Sequence, residues 1–178
     1  MRDLKQFDIP FVGLKDESHL FEYKIDNKFF ESFRFDDFLD ANIKIVLNFE
    51  KKSTFFELNF KAKGFVNVPC DTTGMPFDQK INTTLPLLVK FGHEFNDENE
   101  EVLMLPHGAF EMNVAQYIYE MIVLAVPSKR VHPKVLDGTM ESEALKRLKE
   151  LEITKEKPAE NADPRWDKLK ELLTAKNT

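Results

Sequence analysis

Apolar and polar residues alternate along three consecutive stretches of this chain, and this period-two pattern limits its fold more than any other feature. The apolar positions run through 43–49, 56–70 and 77–91, with turn sequences near 51–53 and 71–76. Successive side chains of a β-strand point to opposite faces, so such alternation buries one face and leaves the other in water. The pattern predicts an antiparallel β-meander with one buried face. Gly64 predicts a bend or bulge in the middle run, and we expect the sheet to be strongly curved.

Shorter runs flank the meander. Residues 6–11 predict an edge strand, because Pro10 cannot donate to a β-ladder, and residues 19–25 predict a further strand. The acidic stretch 94–101 is expected to be a loop. Short strands are predicted at 102–105 and near 109–112.

The apolar segment 114–126 predicts a helix that ends at Pro127. Asn113 is expected to be its N-cap, with Gln116 completing a capping box. Only Gln116 and Glu120 are strongly polar in this segment, and a helix that is apolar nearly all round is typical of a buried one. We therefore expect it to be buried against the sheet.

The remaining residues predict a helical tail. Leu145, Leu148 and Leu151 indicate one amphipathic helix, and Trp166 begins the apolar stripe of a second one. Together the patterns predict an α+β protein with a core domain at 1–135. The tail at 136–178 contains a polar linker at 155–162 and is not expected to be an independent domain.

The net charge of −6 is spread unevenly. Residues 1–128 carry −8 and residues 129–178 carry +2. Nucleic-acid affinity comes largely from Lys and Arg, so an acidic body favours a basic protein partner over bare RNA, and no DNA partner is expected. The single cysteine, the lack of a membrane-length apolar run and the lack of a secretion signal at the N-terminus favour a cytoplasmic protein without a membrane partner.

Residues with catalytic or metal-binding chemistry are sparse. The chain has no G-x-S-x-G elbow and no glycine-rich phosphate loop, and its four histidines show no metal-ligand spacing. Cys70 lies in the apolar phase of a strand with no cationic neighbour in sequence, which favours a buried structural thiol over a reactive one. We expect no enzymatic activity, catalytic residue, metal or cofactor.

Two charged sets are candidate binding residues. An acidic set can be a solvated loop or a dock for a basic partner segment, and Trp166 can be a core anchor or an aromatic contact to a partner. The alternative is direct RNA binding by basic residues, although Lys129 and Arg130 also complement the dipole at a helix C-terminus. The acidic set comprises Glu94, Asp97, Glu98, Glu100 and Glu101. The basic set comprises Lys51, Lys52, Lys61, Lys63, Lys129 and Arg130.

Three stretches, in this order, resemble the YceD family, also called large ribosomal RNA subunit accumulation proteins. Residues 66–76 stand where the family typically shows a strand that runs into C-x-R-C-L-x-P. Residues 113–127 are similar to its helix with a leucine-alanine-leucine-proline-like end, and residues 163–169 to its closing D-P-R motif. The matching positions expected to be structural are Cys70, Asp71, Pro76, Asn113, Glu120, Pro127, Asp163, Pro164 and Arg165.

The departures concern cysteine. Thr72 and Thr73 stand where the family motif has Arg and its second Cys, and no cysteine cluster follows the helix. The chain is therefore a cysteine-poor variant that lacks the zinc ligands suggested by other members. The resemblance implies a non-enzymatic factor for accumulation or assembly of large-subunit ribosomal RNA. Its expected partner is a large-subunit ribosomal protein or pre-ribosomal particle, with direct rRNA contact as the alternative.

Overall fold

The computed structural model describes residues 4–99 and 102–153, and these residues confirm a mixed α+β architecture. They belong to two compact units, one ending at Thr139 and one beginning at Met140. A 3-10 turn at Lys5–Phe7 precedes the first strand. The elements then follow in the order β1 (Asp8–Pro10), β2 (Ser18–Ile25), α1 (Asn27–Ser32), β3 (Asp40–Lys51), β4 (Phe55–Pro69), β5 (Pro76–Gly92), β6 (Asn96–Asn99), β7 (Val102–Pro106), β8 (Glu111–Asn113), α2 (Ala115–Ala125), α3 (Pro133–Leu136) and α4 (Glu143–Ile153).

A six-stranded sheet in the order β2-β3-β4-β5-β7-β6 forms the body of the first unit. From β2 to β5 it is the predicted antiparallel meander, and the pairing of β4 with both neighbours runs without a register shift. Strands β2 and β6 lie at its two open edges. The expected strong curvature stays a prediction.

The inner face of the sheet carries the core. Residues of the apolar phase in β3, β4 and β5 are buried while their neighbours in the other phase remain more exposed. Full burial of one large apolar side chain stabilises the fold by about 1.5–3 kcal/mol, so these rows dominate the stability of the unit. In β3, β4 and β5 the side chains of this face with 2% or less exposure are Ile43, Ile45, Leu47, Phe49, Phe56, Leu58, Phe60, Ala62, Val66, Val68, Ile81 and Val89.

The end of the sheet differs from the prediction. The prediction of a loop at 94–101 is wrong for residues 96–99. These residues form β6, which pairs antiparallel with β7. Strand β7 in turn lies parallel to β5, so the sheet is mixed and the meander ends at β5. An edge strand such as β6 is held by backbone hydrogen bonds and needs no apolar alternation, so its sequence carries no strand pattern.

Helices and a small second sheet cover the inner face. Phe7, Ile9 and Phe11 are buried in the core, and β1 pairs antiparallel with β8. Helix α2 buries four residues, Ala115, Ile118, Met121 and Ile122. Helix α2 contacts β5, as expected of a helix buried against the sheet, but it is not covered along its whole circumference, because Leu124 is 83% exposed. The partly buried Tyr117, Tyr119, Val123 and Ala125 also pack against the core, and the exposed side of the helix carries Gln116, Glu120 and Leu124.

The predicted capping box at the start of α2 is also wrong. Val114, not Asn113, is the N-cap residue. Asn113 instead lies at the end of β8, where its Oδ1 accepts a hydrogen bond from the Ala115 N–H and its Nδ2 donates to Asp8 Oδ1. Gln116 donates to Glu120 Oε1, one turn ahead along the helix. Asn113 therefore joins β1 to the helix start.

Gly64 has a steric role in β4. Of the bend or bulge predicted there, the bulge is wrong, because the register continues through the pairs of Gly64 with Ile43 and Ile81. A Cβ at Gly64 would lie 2.6 Å from the Cα of Ile43 and would overlap the carbonyl oxygen of Asn42. The glycine therefore permits a close approach of two strand backbones.

Within 102–153, the first tail helix is present as α4, which contains Leu145, Leu148 and Leu151. The second predicted tail helix, at 163–173, lies outside the described residues. No helix in the described ranges combines the length and apolar character needed to cross a membrane. The domain boundary proposed at 135/136 stays a prediction.

We predict that Gly64→Ala lowers the free energy of unfolding by about 1–3 kcal/mol, because the added methyl forces β3 and β4 apart. The measurement is urea denaturation followed by circular dichroism. Gly13→Ala is the matched control, since nothing lies within 4 Å of a Cβ there, and its effect should stay within about 0.5 kcal/mol. Equal stability of the two variants would contradict the steric role of Gly64.

Candidate functional site

The first motif stretch contacts the segment that follows the second one at the turn between β4 and β5. The Asp71 N–H donates to the Arg130 carbonyl at 2.8 Å, and the Arg130 N–H donates to Asp71 Oδ2 at 2.6 Å. Arg130 Nε also lies 3.7 Å from Asp71 Oδ1. These contacts join the β4–β5 turn to the segment after α2. We call this set of contacts, together with Cys70 and His132, the motif clasp.

Cys70 is the buried member of the motif clasp, with 2% exposure. The His132 N–H donates to its Sγ at 3.3 Å, and the His132 ring lies 5.4 Å from the ring of Phe77. Burial alone would raise the pKa of the Cys70 thiol, but hydrogen bonds from the Thr73 hydroxyl and from the N–H groups of His132, Thr72 and Thr73 outweigh it and lower the pKa to about 7. Hydrogen bonding to the charged form of a group favours that form.

Thr73 stands where the family motif has its second cysteine. Its hydroxyl is one of the groups that lower the pKa of the Cys70 thiol. Zinc sites need several Cys or His ligands around one ion. Among residues 4–99 and 102–153, no group of three or more His, Cys, Asp or Glu side chains is arranged to hold a metal. The residues at this turn do not fit a zinc ion.

The other family-motif positions have local structural roles or lie outside the description. Pro76 is the first residue of β5, and Pro127 follows α2 after one residue. Glu120 accepts the hydrogen bond from Gln116 on the exposed side of α2. The positions Asp163, Pro164, Arg165 and Trp166 lie outside the described residues.

The acidic set is divided between different settings. Glu94 is exposed in the bend after β5, and Asp97 is exposed on the edge strand β6. Glu98 belongs to the same strand, whereas Glu100 and Glu101 lie outside the described residues. The role of this set as a dock stays a prediction.

The basic set does not form one surface. Lys51 Nζ donates to the carbonyls of Phe11 and Leu14 and lies 3.6 Å from Asp16. A hydrogen bond to Glu57 raises the pKa of Lys52 and engages its ammonium. These two lysines thus belong to the β3–β4 hairpin end, while Lys129 is exposed after α2 and Arg130 contacts Asp71 in the motif clasp.

Lys61 and Lys63 do share a surface, the outer face of the sheet. The strand register places Lys24, Lys44 and Lys63 directly opposite one another on β2, β3 and β4. Lys61 lies two residues before Lys63 on β4, and Lys80 lies on β5 opposite Phe65. All five lysines are exposed. We call them the lysine band: Lys24, Lys44, Lys61, Lys63 and Lys80.

Sequence reasoning missed three members of the lysine band. Lys24, Lys44 and Lys80 each stand in the polar phase of an alternating run, so the sequence does place them on an outer face. Their adjacency depends on which residues are paired between strands, and alternation alone does not specify that register. The alternating pattern by itself predicts neighbouring positions only for Lys61 and Lys63, which lie two residues apart on one strand.

We predict that Asp71→Ala destabilises the unit by about 1–2 kcal/mol, because the Arg130 N–H loses a charged acceptor. Asp71→Asn is the matched control. It keeps a side-chain acceptor and removes only the half-exposed ion pair, which contributes less than about 1 kcal/mol. Urea midpoints compare the two variants. Equal losses would show that the hydrogen bond to Arg130 does not hold the loop.

We predict a pH-dependent contribution of Cys70 to stability. Because its pKa falls from 9.0 to about 7 on folding, the unfolded state binds more protons between these values, and the contribution rises with pH across that window. It is lost as pH falls through the folded-state pKa. The unfolding free energy of the native chain minus that of Cys70→Ala should therefore increase from about pH 6 to about pH 9. A constant or falling difference would contradict the thiolate-favouring environment.

Comparisons with known proteins point to one family. A sequence profile described as "Large ribosomal RNA subunit accumulation protein YceD" matches residues 58–173, which is more than half of the chain. No curated protein and no solved structure matches the chain. The profile covers most of β4, the motif clasp, α2 and the position of the closing motif. The chain belongs to the YceD family.

Proposed function

We propose that this protein is a non-enzymatic factor that supports the accumulation of large-subunit ribosomal RNA by binding a component of the assembling subunit. The match of residues 58–173 to the YceD family carries the proposal, since the family is described by large-subunit rRNA accumulation. A cytoplasmic location is part of it, because the single cysteine suits a reducing compartment.

The roles of the motif residues support binding rather than catalysis. Cys70, the one nucleophilic thiol, is buried and accepts hydrogen bonds that tie the β4–β5 turn to the segment after α2. The Asp71 carboxylate holds the Arg130 N–H. In the proposed function these residues shape the protein, and exposed surfaces make the contact with the particle.

Two surfaces of opposite charge are available for that contact. Glu94 and Asp97 are exposed at the end of the sheet where β6 is the edge strand. A basic segment of a ribosomal protein can complement them and can add to a strand edge. The lysine band on the outer face is suited to RNA phosphates instead. A precursor particle presents both kinds of partner.

The test is a strain in which the gene is deleted and then restored on a plasmid. We expect the deletion to lower large-subunit rRNA and mature large subunits relative to small-subunit rRNA, measured by quantitative RNA analysis and sucrose-gradient profiles. The plasmid copy should restore the ratio. An unchanged ratio in the deletion strain would overturn the proposed function.

A further inference from the structure

We propose that the lysine band binds the sugar–phosphate backbone of RNA, with Phe65 beside it as a stacking surface for an unpaired base. The identity of that RNA as large-subunit rRNA rests on the proposed function. The binding surface itself is inferred from register, exposure and charge on the outer face of the sheet.

The band spans three adjacent rows of paired residues. The middle row runs Lys24, Lys44, Lys63 and Asn82 across β2 to β5. Lys61 lies in the row on one side, opposite Val46 and Thr84, and Lys80 lies in the row on the other side. Neighbouring strands are about 4.8 Å apart, so the middle row extends over roughly 14 Å. Several phosphates of one strand can be contacted across that distance.

The fold does not require lysines at these positions. Like charges directly opposite each other destabilise a sheet, and Lys44 lies opposite both Lys24 and Lys63. Lysines on edge strands prevent strand pairing between molecules, but this explains only Lys24, because β3, β4 and β5 are interior strands. An anionic ligand removes the repulsion, so ligand binding accounts for the arrangement better than a purely solvated face does.

The carboxylates on the outer face of β2 to β5 lie outside the three rows of the band. Glu22 is the exception, with its Oε1 2.9 Å from Lys44 Nζ, and both side chains are more than half exposed. Asp40 and Asp78 lie in a row beyond Phe65, where they pair with Asn67, and Glu50 and Glu57 lie at the opposite end beside Lys52. The positive band is thus bordered by negative rows on both sides, and these rows limit how a polyanion can cross the sheet.

Phe65 supplies an aromatic surface within this polar face. It is partly exposed, lies opposite Asn42 and Lys80, and is not among the described residues that pack in the core. Together with Lys63, Lys80, Asn82 and, at its border, Asp78 it lines a shallow depression of about 570 Å³. Aromatic rings interleaved with lysines are typical of single-stranded RNA surfaces, where a base stacks while its phosphate contacts an ammonium group.

The test is a triple variant, Lys44→Gln, Lys61→Gln and Lys63→Gln, titrated with a labelled 20-nucleotide single-stranded RNA. Each phosphate contact contributes about 0.7 to the slope of log affinity against log salt concentration, so loss of three contacts should reduce the slope by about 2 and weaken binding roughly 100-fold at 0.1 M salt. The matched control replaces Lys5, Lys15 and Lys134, which are exposed and lie outside the band. This control variant should change both the salt slope and the affinity for RNA little.

A second variant tests the aromatic surface. Phe65→Leu should weaken binding of the single-stranded RNA about tenfold with an unchanged salt slope, because stacking is lost and the charges remain. Binding to a duplex RNA of the same length should be unaffected. Circular dichroism and urea midpoints verify that every variant is folded.

The inference is overturned if the native chain does not bind the RNA or if the triple variant binds as the native chain does. It is also overturned if the control variant loses as much affinity, or if phosphatidylglycerol vesicles bind better than RNA at equal phosphate. Capture of an acidic protein with no RNA binding overturns it too. Its failure is distinct from that of the proposed function. The deletion strain tests the latter, and purified protein with RNA tests the band.

Discussion

The pairing register of β3, β4 and β5 is the constraint on which the rest of the structure depends. A slip by one residue would turn the apolar phase outwards and expose the whole inner face of a strand. That face includes Phe49, Phe60 and Leu58, each 1% exposed or less. At about 1.5–3 kcal/mol for each large side chain, the loss would exceed the net stability of a domain, about 5–15 kcal/mol. Burial on the inner face thereby specifies which residues are neighbours on the outer face.

The same register determines where the motif clasp forms. The pair Pro69 and Pro76 ends the β4–β5 ladder, and the chain reversal between them presents Cys70 and Asp71 to the segment after α2. The His132 N–H donates to the Cys70 sulfur, and the Thr73 hydroxyl helps to lower the pKa of the thiol. The motif clasp holds the β4–β5 turn to the segment after α2.

Sequence reasoning succeeds where structure depends on a local pattern and fails where it depends on pairing. The alternation at 43–91 predicts the inner face because burial of one strand face repeats every second residue. The alternation does not predict strand β6, because an edge strand rich in Asn, Asp and Glu has no apolar phase. The apolar composition of α2 does not reveal that Leu124 faces water. Likewise, the thiolate-favouring donors around Cys70 are mostly backbone groups, which leave no trace in side-chain identity.

An overall net charge of −6 and a positive lysine band act over different distances. At 0.1 M salt the charges of a protein are screened beyond about 10 Å, so the acidic remainder weakens long-range attraction of RNA more than it weakens contact within the band. If the lysine band binds RNA as we propose, free RNA would be bound weakly and with strong salt dependence. RNA already carrying basic ribosomal proteins would repel the acidic surfaces less, because those proteins would contact the exposed Glu94 and Asp97 while the band contacts phosphates. Under the proposed function, this division of charge would favour rRNA within a precursor particle over bare RNA.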